Sequence, residues 1–106
     1  MKRTVRLETD AEDELDAAAA WYERQRSGLG LEFIDAVAQS LARVAESPQA
    51  FSLLPNVPRD LEIRHAGVHR FPYAVLFFDQ PEVVRVLAIA HERRRPGYWR
   101  GRLVRP

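Results

Sequence analysis

Apolar side chains recur every three or four positions through the first half of the chain, and alternate or run together through the second. Residues 4–8 alternate, with Val5 and Leu7 opposed to Arg6, which predicts a short strand. Thr9-Asp10-Ala11-Glu12 has the form of a capping box, in which the Thr9 hydroxyl accepts from a helical N–H while Glu12 reaches back. Asp10, Glu12, Asp13 and Glu14 crowd the first turn, where the helix dipole favours anions. Ala11, Leu15, Ala18, Ala19 and Tyr22 then share a face, with Trp21 at its flank, predicting a helix over residues 10–26 that stops at Ser27-Gly28. A second helix follows the Gly28-Leu29-Gly30 break, with Phe33, Ile34, Val37, Ala38, Leu41, Val44 and Ala45 on a wide apolar face. It ends at Ser47-Pro48, because a proline pushes the residue before it out of helical geometry. So short a connection predicts an antiparallel helical hairpin.

Residues 49–59, with Pro55 and Pro58, read as an irregular crossing loop. Residues 61–64 alternate as a strand, and His65-Ala66-Gly67-Val68-His69 has the chemistry of a turn. Residues 70–78 form an aromatic-rich strand, Asp79-Gln80-Pro81-Glu82 turns the chain, and residues 83–91 are apolar on both faces. Two-sided apolarity marks a central strand covered above and below. Residues 95–102, with Pro96 near the start, predict a short terminal helix or arm. The order predicts one α+β domain over residues 1–106: an N-terminal strand, a helical hairpin, antiparallel strands forming one sheet, and the terminal segment.

Composition narrows the chemistry. At 106 residues, 46% hydrophobic and 29% charged, the chain can bury one core. It has no cysteine, which excludes disulfides and thiol catalysis. Its start has no apolar targeting region and no run reaches membrane-spanning length, so a soluble cytoplasmic protein is expected. His65 and His69 lack a carboxylate partner, the four serines lack a nucleophile elbow, and Gly28 and Gly30 make no phosphate loop. Neither a metal nor a cofactor is therefore expected. The net charge of +1 conceals a division: residues 1–60 hold 7 basic and 11 acidic side chains, and residues 61–106 hold 9 and 4. The basic half, whose nine basic side chains are all arginine, suits an anionic partner such as an acidic peptide or nucleic acid.

Hairpin register gives that charge a place. A turn centred on Gln80-Pro81 sets Phe78 opposite Val83 and Arg70 opposite His91, and a turn centred on Gly67 sets Arg64 opposite Arg70. Arg64, Arg70 and His91 would then form one row across three strands. Adjacent cations repel unless an anion lies over them. The alternative is that each is a strand-end side chain paired with an acid such as Glu62 or Glu92.

The stretches "AEDELDAAAAWYERQRSGLGLEFIDAV", "SPQAF", "HRFPYAVLFF" and "VVRVLAIAHERRRPGYW" together resemble the RelE/ParE superfamily of type II toxin–antitoxin toxins, in particular its plasmid stabilisation proteins. The resemblance runs through nearly the whole chain. It implies a small α+β fold and a cognate antitoxin whose C-terminal segment wraps the toxin into a hetero-oligomer. Two activities are implied: RelE-like members are endoribonucleases that cut mRNA on the ribosome, and ParE-like members inhibit DNA gyrase. On the first, Arg64, Arg70 and His91 fall where ribonuclease members keep catalytic cations, and Tyr98 matches their C-terminal aromatic. Arg93, Arg94, Arg95 and Trp99 would face the target. The ribosome-dependent mRNA interferase is the leading expectation. A non-enzymatic gyrase inhibitor and an inactive binding module of the same fold are the alternatives.

Overall fold

Heptad-like spacing puts a hairpin of two helices together, and a short N-terminal strand plus three later ones supply the sheet it packs on. The computed structural model describes residues 2–104. Strand β1 (Val5–Leu7) leads into helix α1 (Thr9–Gln25) and helix α2 (Leu29–Glu46). After a loop with two 3₁₀ turns come β2 (Arg64–Gly67), β3 (Tyr73–Asp79) and β4 (Val84–His91), and a terminal 3₁₀ turn over Arg100–Val104. The sheet order is β1-β4-β3-β2. β1 runs parallel to β4, with Val5 beside Val84, and the other pairs are antiparallel. The α+β architecture is as expected. Among the described residues no helix is long and apolar enough to cross a membrane.

The hairpin closes through two glycines. Gly28 holds the left-handed conformation (φ 89°) that a side chain would strain. Gly30 lies so close to α1 that a Cβ there would sit 2.6 Å from the Ala19 carbonyl oxygen. The capping box does not form. α1 begins at Thr9 with no side-chain cap, and Glu8 before it pairs with Arg85 across β4.

The strands differ from expectation at three points. Residues 59–61 form a 3₁₀ turn, the Leu61 N–H reaching back to the Pro58 carbonyl, so the predicted strand there begins only at Arg64. The supposed turn at His65 is instead β2, running beside β3 with buried Ala66 at its centre. β3 starts at Tyr73 rather than Arg70, because residues 68–72 make a tight turn ending in Pro72, with Arg70 in the left-handed region (φ 73°).

Register is the larger correction. Asp79 pairs with Val84 at the turn, and Leu76 pairs with Ala88 while Phe77 pairs with Val86. Leu87 is therefore an extra residue, a bulge that reverses which face the following side chains address. Val84 and Val86 join Ile89 in the helix-side core with Phe33, Val37 and Val44. Leu87, Ala88 and Ala90 join Leu76, Ile63 and Trp99 on the opposite face. Both faces of β4 are covered, one by the hairpin, the other by the loop and the terminal segment.

Candidate functional site

His91 closes β4 opposite Tyr73, their rings 5.0 Å apart and edge-on at 81°. The bulge turns it to the helix side, the face that also carries Tyr73 and Ile89. The Arg93 N–H donates to His91 Nδ1 at 3.0 Å, so the neutral ring carries its proton on Nε2.

The row of cations does not exist. Arg64 pairs with Phe77 on β2, well down the sheet from His91. Its guanidinium donates to the Phe51 carbonyl at 2.6 Å and to Gln49 Oε1 at 3.0 Å, fastening the loop to the sheet edge. Arg70 sits in the turn before β3, its place opposite His91 taken by Tyr73, and it pairs with Glu32 of α2 at 3.0 Å. Glu32 also takes Arg26, and bonds from the two guanidiniums hold its carboxyl below the usual value.

The terminal residues divide between surface and core. Arg93, Arg94 and Arg95 are exposed on the turn that follows β4. Arg94 lies 3.9 Å above the Tyr98 ring. Trp99, expected to face a target, is instead a core residue at 3% exposure, packed with Leu87 and Ile63. The Tyr98 hydroxyl donates to Glu14 Oε2 at 2.6 Å. Burial and that carboxylate drive its pKa far above the usual tyrosine value.

Glu14 is the residue that sequence reasoning missed. Besides Tyr98 it accepts from the Ile89 N–H at 3.0 Å and from both terminal nitrogens of Arg102 at 2.9 Å. Arg102 also donates to the Leu87 carbonyl at 2.8 Å and approaches Asp10 at 3.5 Å. Hydrogen bonding to Glu14 raises the Arg102 pKa against the cost of burial. Glu14 and Arg102 thus take up Ile89 N–H and Leu87 C=O where β1 has already ended. One signal was available: Glu14 lies three residues after Ala11 and four before Ala18, on the apolar face of an otherwise solvated acidic run.

Two clefts flank His91. On the helix side, Glu14, Trp21, Tyr73, Tyr98 and Arg94 bound a shallow space of about 280 Å³. On the far side, one of about 310 Å³ lies between residues 54–57 and 94–100. Among the described residues no group of three His, Asp or Glu side chains could hold a metal. Of the expected catalytic groups, His91 and Tyr98 border both clefts, beside exposed arginines, and the Tyr98 hydroxyl is already taken by Glu14.

A family model described as the ParE toxin of the type II toxin–antitoxin system parDE matches residues 5–96. Among solved structures the chain is similar to the chromosomal ParDE TA system from P. aeruginosa, with a TM-score of 0.72 over 85% of this chain and 96% of that one. At 16% identity that likeness is one of fold. No curated protein matches the chain. The match along 5–96 spans nearly every element described above, and the chain belongs to the ParE toxin family of type II toxin–antitoxin systems.

Proposed function

We propose that this toxin acts in the cytoplasm by binding and obstructing a protein target, DNA gyrase, and that a cognate antitoxin neutralises it. The dispersal of Arg64, Arg70 and His91 carries this reading. Cleaving RNA by attack of a 2′-OH requires a base, an acid and charge-stabilising donors around a single phosphate. Here Arg64 is committed to loop carbonyl and amide oxygens and Arg70 to Glu32 on a separate surface hollow beside α2, so only His91 of the three stands at the two clefts around the end of β4. The single lysine and net charge of +1 also suit a protein target better than the ribosome's RNA.

The antitoxin has a surface to cover. On the hairpin, Trp21 of α1 is 51% exposed and Leu31 of α2 69%, with Ile34 one turn beyond Leu31, and β1 lies at the sheet edge along a groove lined by Leu41 and Ala42. An apolar segment laid on the hairpin and the β1 edge accounts for both. The ParDE system of similar fold supports such a partner.

The test sets purified toxin against DNA gyrase in a supercoiling assay and maps RNA cleavage in cells expressing it. Inhibition of supercoiling that survives His91→Ala is expected. Ribosome-dependent cleavage that disappears in His91→Ala would instead establish the ribonuclease, and normal growth with abundant soluble toxin would establish the inactive module.

A further inference from the structure

Arg3, Arg26, Arg70, Arg85 and Arg102 each have a carboxylate within ion-pair distance. Several other arginines take part in no such pair among the described residues, and four of these, Arg93, Arg94, Arg95 and Arg100, are exposed and gathered between the end of β4 and the terminal 3₁₀ turn. Three of them, Arg94, Arg95 and Arg100, rim the cleft on the side of the sheet away from the helices, where Glu92 is the single acid in the lining. Its floor is apolar, built from Ala74 and Leu76 of β3 and Ala90 of β4. Its two walls are joined, since Arg100 donates to the Asn56 carbonyl at 2.8 Å. The cleft is therefore formed before anything enters it, which lowers the ordering cost of binding.

Apolar floor and unpaired cationic rim select an anionic ligand with an apolar part. Single-stranded nucleic acid would need open aromatic faces on which bases stack. Trp99 is 3% exposed and the Tyr98 ring is covered by Arg94, so this cleft offers no such platform. A bulky apolar side chain flanked by carboxylates satisfies both parts, and arginine forks match carboxylate geometry. We propose that the cleft takes an acidic segment of a protein partner, one aliphatic or aromatic side chain on Ala74, Leu76 and Ala90 and its neighbouring carboxylates on Arg94, Arg95 and Arg100. The proposal rests on the reading that the toxin's target is a protein, and names the part of that protein it grips.

Two measurements test it separately from the identity of the target. In the first, fluorescence anisotropy follows a fluorescein-labelled hexapeptide, Asp-Asp-Leu-Phe-Glu-Glu, and its uncharged counterpart Asn-Asn-Leu-Phe-Gln-Gln, titrated with the whole chain. The acidic peptide should bind at least tenfold tighter, more weakly as salt rises, and the double variant Arg94→Glu with Arg95→Glu should abolish the preference. Circular dichroism confirms that the variant is folded, and Val57→Glu, at the opposite wall, should weaken binding independently. No saturable binding of the acidic peptide up to ~1 mM, equal binding of both peptides, or full binding by the double variant overturns the proposal. So does displacement of the peptide by an equimolar uridine hexanucleotide.

The second measurement is gyrase supercoiling with the same variants. If the wild-type chain inhibits gyrase and the double variant inhibits equally, the cleft is not the grip and the target reading stands. If the wild-type chain leaves gyrase untouched yet binds the acidic peptide through these arginines, the cleft stands and the target is another protein.

Discussion

Two glutamates of α1, Glu14 and Glu23, both accept hydrogen bonds from backbone N–H groups, yet they organise very different lengths of chain. Glu23, an exposed side chain, takes the N–H of Gly28 at 2.9 Å and of Gly30 at 3.0 Å, closing the turn just beyond its own helix. Glu14 takes Ile89, Tyr98 and Arg102, at separations of 75 to 88 residues, with its side chain 17% and that of Arg102 13% exposed. A local closure of this kind fixes little chain entropy and is easily replaced by water. A desolvated pair with its hydrogen bonds complete is costly to break, because each broken partner is stranded. Residue type and helix are the same; sequence separation and solvent exposure set the consequence.

The sharpest way to break this contrast is to remove each carboxylate in turn and measure urea unfolding. Glu14→Ala should cost about 2–4 kcal/mol, the range for leaving a partly buried arginine and an N–H unpaired. It should also expose the Ile89 amide to hydrogen exchange. A smaller loss than that of Glu23→Ala would end the comparison. Next in size, Gly30→Ala forces a methyl against the Ala19 carbonyl beside the Glu23 turn and should cost about 1–3 kcal/mol. Were it neutral, the hairpin would not be as closely packed as its geometry requires.

Tyr98→Phe should cost about 1 kcal/mol at neutral pH, one net hydrogen bond, with the Tm as readout. Its pH dependence carries a sign. The folded pKa lies above the unfolded one, so the contribution is complete below about pH 10 and is lost as the pH rises above that value. As the pH rises above about 10 the wild-type chain should therefore lose more stability than Tyr98→Phe. The smallest effect is that of Glu23→Ala, below about 1 kcal/mol, since its side chain is exposed and both its bonds are local caps on the turn.

The helices were legible because their signal is local. Phe33, Val37 and Val44 repeat at helical spacing, and all three are in the core. Pairing across the sheet was not legible in the same way. His65-Ala66-Gly67 has turn-like composition, yet it is a strand because buried Ala66 fits beside Val75. The apolar run around Leu87 contains nothing that marks an extra residue, since every phase of an apolar strand looks alike. His91 could therefore be placed at a strand end, while its neighbours, which depend on register, could not. Glu14 was hidden for another reason: its partners lie 75 or more residues away, and four other acids surround it in sequence.

The shortness of β1 has a consequence for the solubility of the chain. β4 runs on for five residues past Val86, the last position paired with β1, and a bare strand edge of that length is a template for a strand from another molecule. Glu14 and Arg102 occupy two of its backbone groups, and their charges stand where an incoming strand would lie. Natural sheets commonly guard an edge with an inward-pointing charge, and here the guard is supplied by residues 88 positions apart. Protection is thus complete only when the C-terminal segment has docked and Arg102 joins Glu14. A nascent or truncated chain without Arg102 would carry the same apolar strand with its edge guarded by Glu14 alone, more exposed to aggregation until the last turn folds into place.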